Sequence, residues 1–313
     1  MRIVISEFMD ASAVAMLAEH FDVRYDPSLV DRPADLENAL ASADALIVRN
    51  RTQVTAALIS AATSLAAVGR LGVGLDNIDV DACAARDIAV IPATGANAQA
   101  VAEYVIAAAL VLLRGAYAST PSVANGDWPR APLSEGREIA GKTLGLIGFG
   151  SIGRLTGKLA RALGMRVIAY DANVPSDAPL WQQESTTCAA LDQLLADADV
   201  VSLHVPLTPS TRNLIDARQL STMKRDAILV NTSRGGIVDE TALAAALRAN
   251  RLGGAALDVF DREPLAAGSP LADCPRLLLT PHIAGITRES NVRVSMMIAE
   301  KVAAALFERR PKE

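Results

Sequence analysis

Aromatic residues make up only 4% of this 313-residue chain, too few to line a stacking platform for single-stranded nucleic acid. Basic charge is not in excess either. Lys and Arg number 30 against 35 Asp and Glu, a net charge of −5, so no overall field draws in DNA, RNA or anionic lipid, and an anionic ligand must be held by a local cluster. Cysteine is scarce. Cys83, Cys188 and Cys274 are odd in number, scattered and outside any CxxC spacing, which argues against a disulfide framework or a zinc site and fits small buried thiols in a reducing compartment. Long apolar runs are missing. The longest, Tyr104 to Leu113, lies between Glu103 and Arg114 and is too short for a hydrocarbon layer of ~30 Å. The run after Met1 is too short for a signal-peptide core. These absences predict a soluble cytoplasmic protein with a small-molecule substrate, no metal, and no nucleic-acid or membrane partner.

Hydrophobic residues at 51% and charged residues at 21% describe an ordinary globular chain, and at ~150 residues per domain the length predicts two domains with a cleft between them. Short β-branched runs alternate with helical patterns, the mark of a parallel α/β architecture. Strands are expected near Arg2–Ser6, Val23–Tyr25, Ala45–Val48, Ala67–Arg70 and Ala89–Ile91, with helices such as Ala11–His20 and Ala34–Ala43 between them. A long apolar helix, Gln99 to Leu113, precedes a Gly/Pro-punctuated stretch, Thr120 to Gly141, read as an irregular arm. A second α/β series then supplies strands at Thr143–Ile147, Arg166–Tyr170, Val200–Leu203, Ala227–Asn231, Ala255–Val259 and Leu277–Thr280. A helix from Glu289 to Phe307 closes the chain.

Gly148-Phe149-Gly150-Ser151-Ile152-Gly153 is a GxGxxG run, weak by itself but placed directly after the strand Thr143–Ile147 and at the start of the helical pattern Arg154–Leu163. Gly148 permits the tight turn, Gly150 lets backbone N–H groups approach a pyrophosphate, and Gly153 allows close helix–strand packing. The helix N-terminus adds partial positive charge to the phosphate site. The next strand ends at Asp171, 18 residues beyond Gly153, where a carboxylate accepts hydrogen bonds from the adenosine ribose. A 2′-phosphate there would meet like charge, and Ala172, Asn173 and Val174 offer no Arg, so NAD is expected over NADP.

An open α/β sheet binds its ligands outside the carboxyl ends of its strands. The polar residues just past those ends are Asp171, His204, Thr232-Ser233-Arg234, Asp258 and His282. Hydride transfer from an alcohol needs a base for the hydroxyl proton, a cation to orient the substrate carboxylate, and exclusion of water. Of the three histidines, His20 ends a surface helix and reads as solvated. His204, before Val205-Pro206, reads as a cofactor neighbour, and His282, followed by Ile283-Ala284-Gly285, sits beside a small flexible segment that admits a cofactor. A catalytic imidazole wants a carboxylate partner. Asp258, Asp261 and Glu263 are all candidates, and spacing alone does not choose among them.

With these blocks in view, the chain resembles the D-isomer-specific 2-hydroxyacid dehydrogenases, and within them the phosphoglycerate dehydrogenase branch. The resemblance runs through Gly72-Val73-Gly74-Leu75-Asp76-Asn77-Ile78-Asp79, Gly95-Ala96-Asn97 with Val101-Ala102-Glu103, the GxGxxG run, Asn231-Thr232-Ser233-Arg234-Gly235-Gly236, Asp258 to Glu263-Pro264, and Thr280-Pro281-His282. It implies that Arg234 binds the substrate carboxylate and carbonyl, that His282 is the acid/base, and that Glu263 is its partner. It further implies that Gly148, Gly150, Ser151, Ile152, Gly153, Asp171, His204, Pro206, Thr232, Ser233, Asp258 and Gly285 contact NAD, and that Val73 and Gly74 hold the substrate carboxylate. The implied architecture is two doubly wound parallel-sheet domains. These are a flavodoxin-like lid of residues 1–95 plus 286–313 and a Rossmann-type cofactor domain of 96–285, with a homodimer formed through 99–140. Because the chain stops at Glu313, the C-terminal regulatory domain of longer relatives is expected to be absent.

A corepressor-like NAD(H)-binding protein on the same fold is the contrasting class. The full Arg234, Glu263, His282 set favours the enzyme. Arg49 and Arg51, just past a predicted strand, are two apart, so an extended backbone would aim both guanidiniums the same way. In the phosphoglycerate branch the matching arginines reach the substrate phosphate, and Arg130 resembles a basic residue donated across the dimer. The expected substrate therefore carries a second anion: 3-phosphoglycerate/3-phosphohydroxypyruvate first, 3-sulfolactate/3-sulfopyruvate next, with hydroxypyruvate or glyoxylate reduction as a further alternative.

Overall fold

The structure is a computed structural model that describes residues 1–309, so the last four residues of the expected lid segment lie outside the described residues. The chain divides into two compact units, Met1–Asn97 with the residues from Ile286 onward, and Ala98–Gly285. The first junction lies two residues beyond the expected one.

The first unit carries β1 (Arg2–Ile5), β2 (Asp22–Tyr25), β3 (Ala45–Val48), β4 (Ala67–Arg70) and β5 (Ala89–Pro92). All are parallel, in the order β2-β1-β3-β4-β5, the flavodoxin-like arrangement. Every residue of β3, Ala-Leu-Ile-Val, is buried, as a strand covered on both faces must be. Alternation sorts the side chains. Ile3, Ile5 and Ile47 pack with Leu17, Ile298, Val302 and Leu306 on one face, and Val4, Leu46 and Val48 pack with Leu36, Leu40 and Ile59 on the other. The helix Arg288–Glu308, opened by a Thr287/Ser290 capping box, lies directly on β4. A Cβ at Gly69 would stand 2.7 Å from Ile298 Cγ2.

The second unit carries β6 (Thr143–Ile147), β7 (Arg166–Tyr170), β8 (Thr187–Cys188), β9 (Val200–Leu203), β10 (Ile228–Asn231), β11 (Gly254–Leu257) and β12 (Leu277–Leu279). All are parallel, in the order β12-β11-β10-β9-β6-β7-β8. The order reverses at β6/β9, the switch point of a doubly wound sheet. The helix Ala98–Arg114 packs its buried face, including Val101, Val105 and Ala109, against the helix Ser151–Ala162 and β10.

Two expectations need correction. The stretch Thr120–Gly141 is not wholly irregular. It contains the helices Thr120–Ala124 and Arg130–Leu133, the first with Pro121 in its opening turn, where a missing N–H does no harm. β8 has no counterpart in the sequence reading, because two residues are too few to show a period.

Glu7, also unnoticed in the sequence, is a buried carboxylate that shapes the chain after β3. Its Oε1 accepts from the backbone N–H groups of Arg49 (2.8 Å) and Thr52 (2.9 Å), and its Oε2 from those of Arg51 (3.1 Å) and Asn50 (3.3 Å). Burial pushes its pKa up, but the N–H groups of Thr52, Arg49 and Arg51 and the Thr52 hydroxyl outweigh that and leave it below 4.5. A carboxylate with a depressed folded-state pKa stabilises the fold above its unfolded value and loses that contribution as the pH falls. Glu7→Gln sets an amide N–H₂ against backbone donors and is expected to lower unfolding stability at pH 7 by about 1–3 kcal/mol in urea titrations. The gap to wild type should narrow as the pH falls below 4.5. Coincident urea midpoints at pH 7 would show that Glu7 carries no such load.

Candidate active site

The second unit gathers its functional residues at the carboxyl ends of its strands. After β6 the chain turns at Gly148 (φ +96°), where a Cβ would lie 2.4 Å from the His204 carbonyl oxygen, and a Cβ at Gly153 would lie 2.3 Å from the Gly148 carbonyl oxygen. Only hydrogen fits at either position. Gly150, by contrast, has nothing within 4 Å. It caps the 12-residue helix Ser151–Ala162, which has no side-chain N-cap and no acidic residue in its first turn. Ser151 and Ile152 therefore begin a helix whose terminal N–H groups remain for an anion. This is a fit for a pyrophosphate.

Asp171, half-buried at the end of β7, accepts from the backbone N–H groups of Phe149 (2.7 Å) and Asn173 (2.9 Å). A carboxylate has lone pairs beyond those two bonds for ribose hydroxyls. Phe149, the second residue of the glycine turn, stacks on Trp181 at 4.9 Å, and Trp181 Nε1 donates to the Pro175 carbonyl at 2.7 Å. This anchor joins the phosphate turn to the Asp171 loop. The sequence reading passed over it, since an x position in GxGxxG carries no signal.

His204 N donates to the Ile147 carbonyl at 2.7 Å, which seats the imidazole beside the glycine turn with Nε2 at 3.0 Å from Ser202 Oγ. Burial lowers its pKa to about 4, so it is neutral at pH 7. Pro206 follows, exposed, with its carbonyl accepting from Thr211 Oγ1 at 2.6 Å. Past β10, Ser233 Oγ donates to the Leu203 carbonyl at 2.5 Å and Asn231 Nδ2 to the Arg234 carbonyl at 2.9 Å, which ties the turn to its neighbours. Thr232 Oγ1 is buried without a protein partner. Such a hydroxyl is costly unless a ligand meets it.

Arg234 Nη1 donates to the Ser233 carbonyl at 2.6 Å. The next residue, Gly235, abuts the Phe260 carbonyl so closely that a Cβ would fall 1.7 Å from its oxygen. The turn that carries Arg234 is thereby held, at Gly235, against the loop that leads to Glu263. Glu263 Oε1 accepts from Phe260 N at 3.1 Å, and Oε2 lies 2.8 Å from His282 Nδ1. Of the three candidate partners, then, Glu263 holds the imidazole. Asp261 pairs with Arg212 at 3.2 Å. Asp258, 1% exposed, accepts from Thr280 Oγ1 (2.6 Å) and Ile283 N (2.8 Å) on Oδ1 and from Ala284 N (2.8 Å) on Oδ2, while its carbonyl accepts from His282 N (2.8 Å). His282 stands in the left-handed region at φ +56°. With Nδ1 committed to a carboxylate, Nε2 is left to exchange a proton with a ligand. Gly285 ends the unit.

In the first unit Val73 is exposed and Gly74 half-buried in the turn after β4. The two arginines do not point the same way. Arg49 Nη2 donates to Asn291 Oδ1 at 2.8 Å, with the guanidinium 5.8 Å from the Phe8 ring centroid, whereas Arg51 is exposed and pairs with Asp31. The segment is wrapped around the Glu7 carboxylate instead of extended, so the two-residue period does not apply.

A doubly wound sheet with an open glycine turn at its switch point, a ribose-facing acid and an imidazole–carboxylate pair defines a nicotinamide-dependent oxidoreductase of hydroxy acids. Residues 106–284 match the D-isomer specific 2-hydroxyacid dehydrogenase, NAD binding domain family. The (S)-sulfolactate dehydrogenase of Chromohalobacter salexigens is 54% identical over 97% of this chain and 98% of its own. The D-3-phosphoglycerate dehydrogenase of Mycobacterium bovis is 41% identical over 97% of this chain, which spans 56% of that protein. Among solved structures, D-lactate dehydrogenase from Aquifex aeolicus, complexed with NAD and lactic acid, is 29% identical at a TM-score of 0.84, covering 98% of this chain and 96% of that one. The protein belongs to the D-isomer specific 2-hydroxyacid dehydrogenase family, and its cofactor is NAD.

Asp171→Ala removes the only acid at the end of β7. Loss of charge-assisted bonds worth about 1.5–3 kcal/mol is expected to raise the KM for NAD roughly 10- to 100-fold and to shrink the NAD/NADP preference. An unchanged ratio of kcat/KM for the two cofactors would remove Asp171 as the ribose reader.

Proposed function

We propose that this enzyme interconverts (S)-3-sulfolactate and 3-sulfopyruvate. The observation that carries the substrate is the end-to-end 54% identity with a protein named for that acid. This reading puts sulfolactate ahead of phosphoglycerate, the reverse of the order expected from the sequence alone. Stereochemistry supports the reading. Sulfur raises the priority of the substituted methylene above that of the carboxylate, so the hydroxyl arrangement labelled D in lactate becomes S in sulfolactate.

The chemistry rests on the His282–Glu263 contact. Bound NAD supplies the hydride acceptor. In the oxidation direction His282 Nε2 takes the hydroxyl proton, and the Glu263 carboxylate at 2.8 Å stabilises the resulting imidazolium, as an orienting acid does in other acid–base pairs. Arg234 binds the C1 carboxylate and the C2 oxygen with its two-pronged guanidinium. Thr232, Ser233, Asp258, His204 and Pro206 contact the cofactor. For the sulfonate we infer Arg49 as the cation, since Arg51 is already paired with Asp31. We further infer a homodimer through 99–140, supported by the exposed Leu110, Tyr117, Val123 and Trp128, and a cytoplasmic location, supported by three free cysteines.

His282→Gln is expected to lower kcat about 10²–10⁴-fold while NADH binding, followed by fluorescence, changes little. Turnover within threefold of wild type would refute the acid/base assignment. Initial rates on 3-sulfopyruvate, 3-phosphohydroxypyruvate, hydroxypyruvate and pyruvate, with wild type and Arg49→Ala, test the substrate. The sulfonate should have the highest kcat/KM, and its advantage over pyruvate should collapse in the variant. Equal efficiency on all four would exclude a reader of the second anion.

A further inference from the structure

Tyr104 stands on the helix Ala98–Arg114 and has no part in the site as drawn above. Its Oη lies 2.6 Å from Thr280 Oγ1, and Thr280 Oγ1 lies 2.6 Å from Asp258 Oδ1. A threonine hydroxyl has one proton. The carboxylate takes it, so Tyr104 must be the donor in the other bond, and the three groups form a directed chain from phenol to hydroxyl to carboxylate. Burial, aided by the Asp258 charge, holds the phenol above its usual pKa of 10.0, which keeps that proton in place.

The chain has a reason to exist in this turn. Asp258 fixes the His282 segment by accepting from Ile283 N and Ala284 N on the far side of the histidine. On the near side Pro281 has no N–H to offer, and the Thr280 side chain supplies the donor instead. A phenylalanine at 104 would serve the apolar packing, since Tyr104 lies against the buried cluster that includes Val105 and Ala108. The hydroxyl is explained only by Thr280.

We propose that Tyr104 is a positioning residue for the dehydrogenase reaction, acting through Thr280 and Asp258 to hold His282 in its left-handed turn. The proposal rests on the reading of His282 as the acid/base.

The test measures kcat and KM, with NADH and whichever oxoacid of the panel above is reduced fastest, for Tyr104→Phe, Thr280→Val, Thr280→Ser and the Tyr104→Phe/Thr280→Val double variant. Melting temperatures are recorded alongside. Misplacement of a reacting group by ~1 Å is able to lower rates about 10²-fold. Thr280→Val should therefore lose roughly 10- to 100-fold in kcat and Tyr104→Phe roughly 3- to 10-fold, with substrate KM moved less than about twofold, the pattern of an interaction felt in the transition state. Thr280→Ser, which keeps the hydroxyl, should restore kcat to within about twofold. Adding Tyr104→Phe to Thr280→Val should change nothing further, because the link is already cut. A Tyr104→Phe enzyme with wild-type kcat, or losses that multiply in the double variant, would overturn the proposal. If Thr280→Val does not fold, Tyr104→Phe decides alone, since it removes a single oxygen. His282→Gln run in parallel separates the two ideas: full activity there sinks the acid/base reading, whereas a damaged His282→Gln beside an intact Tyr104→Phe sinks only the role of Tyr104.

Discussion

A buried carboxylate must be surrounded by hydrogen-bond donors or it is driven to protonate, and in this protein Asp258 turns that demand into the shape of the active site. It sits at the end of β11 and draws the Thr280 hydroxyl and two backbone N–H groups of the next turn onto its oxygens. The turn satisfies it with His282 between the two sides of the clamp at φ +56°. Few L-residues adopt that region, though histidine does so more readily than most, and the clamp holds the backbone there. Its side chain is then within reach of Glu263.

The first unit applies the same principle with Glu7. There four consecutive backbone N–H groups, from Arg49 to Thr52, wrap one carboxylate. In each unit, a buried acid past a strand end replaces regular backbone pairing and sculpts a loop, the one carrying Arg49 in the first unit and the one carrying His282 in the second. Each loop is preorganised by its buried acid, and in the second unit the Nδ1 contact with Glu263 leaves His282 Nε2 facing away from that partner.

Glycine performs the complementary task. At Gly148, Gly153 and Gly235 another backbone passes where a Cβ would be, at 2.4, 2.3 and 1.7 Å. The first two seat the phosphate turn against β9 and its own helix. The third brings the Arg234 turn into backbone contact with the Glu263 loop at Phe260. The Phe149–Trp181 stack then links the phosphate turn to the acid at the end of β7.

Much of this was readable in the chain. Strands and helices announce themselves through local periods of two and 3.6. Eleven of the twelve strands were expected from the sequence, five with their exact ends and six needing adjustment there, while β8 was too short to show a period. The GxGxxG run, Asp171 and the residues just past each strand were legible for a similar reason: parallel topology places them on one edge whatever the details. The sequence by itself thus determined the fold class, the cofactor and the inventory of polar groups. Which of Asp258, Asp261 and Glu263 would hold His282, whether Arg49 and Arg51 would align, and that Tyr104 would meet Thr280 across 176 residues were decided only by the tertiary structure. Those pairings depend on which strands become neighbours and on how a buried charge folds a loop around itself, and neither leaves a periodic trace in the residues involved.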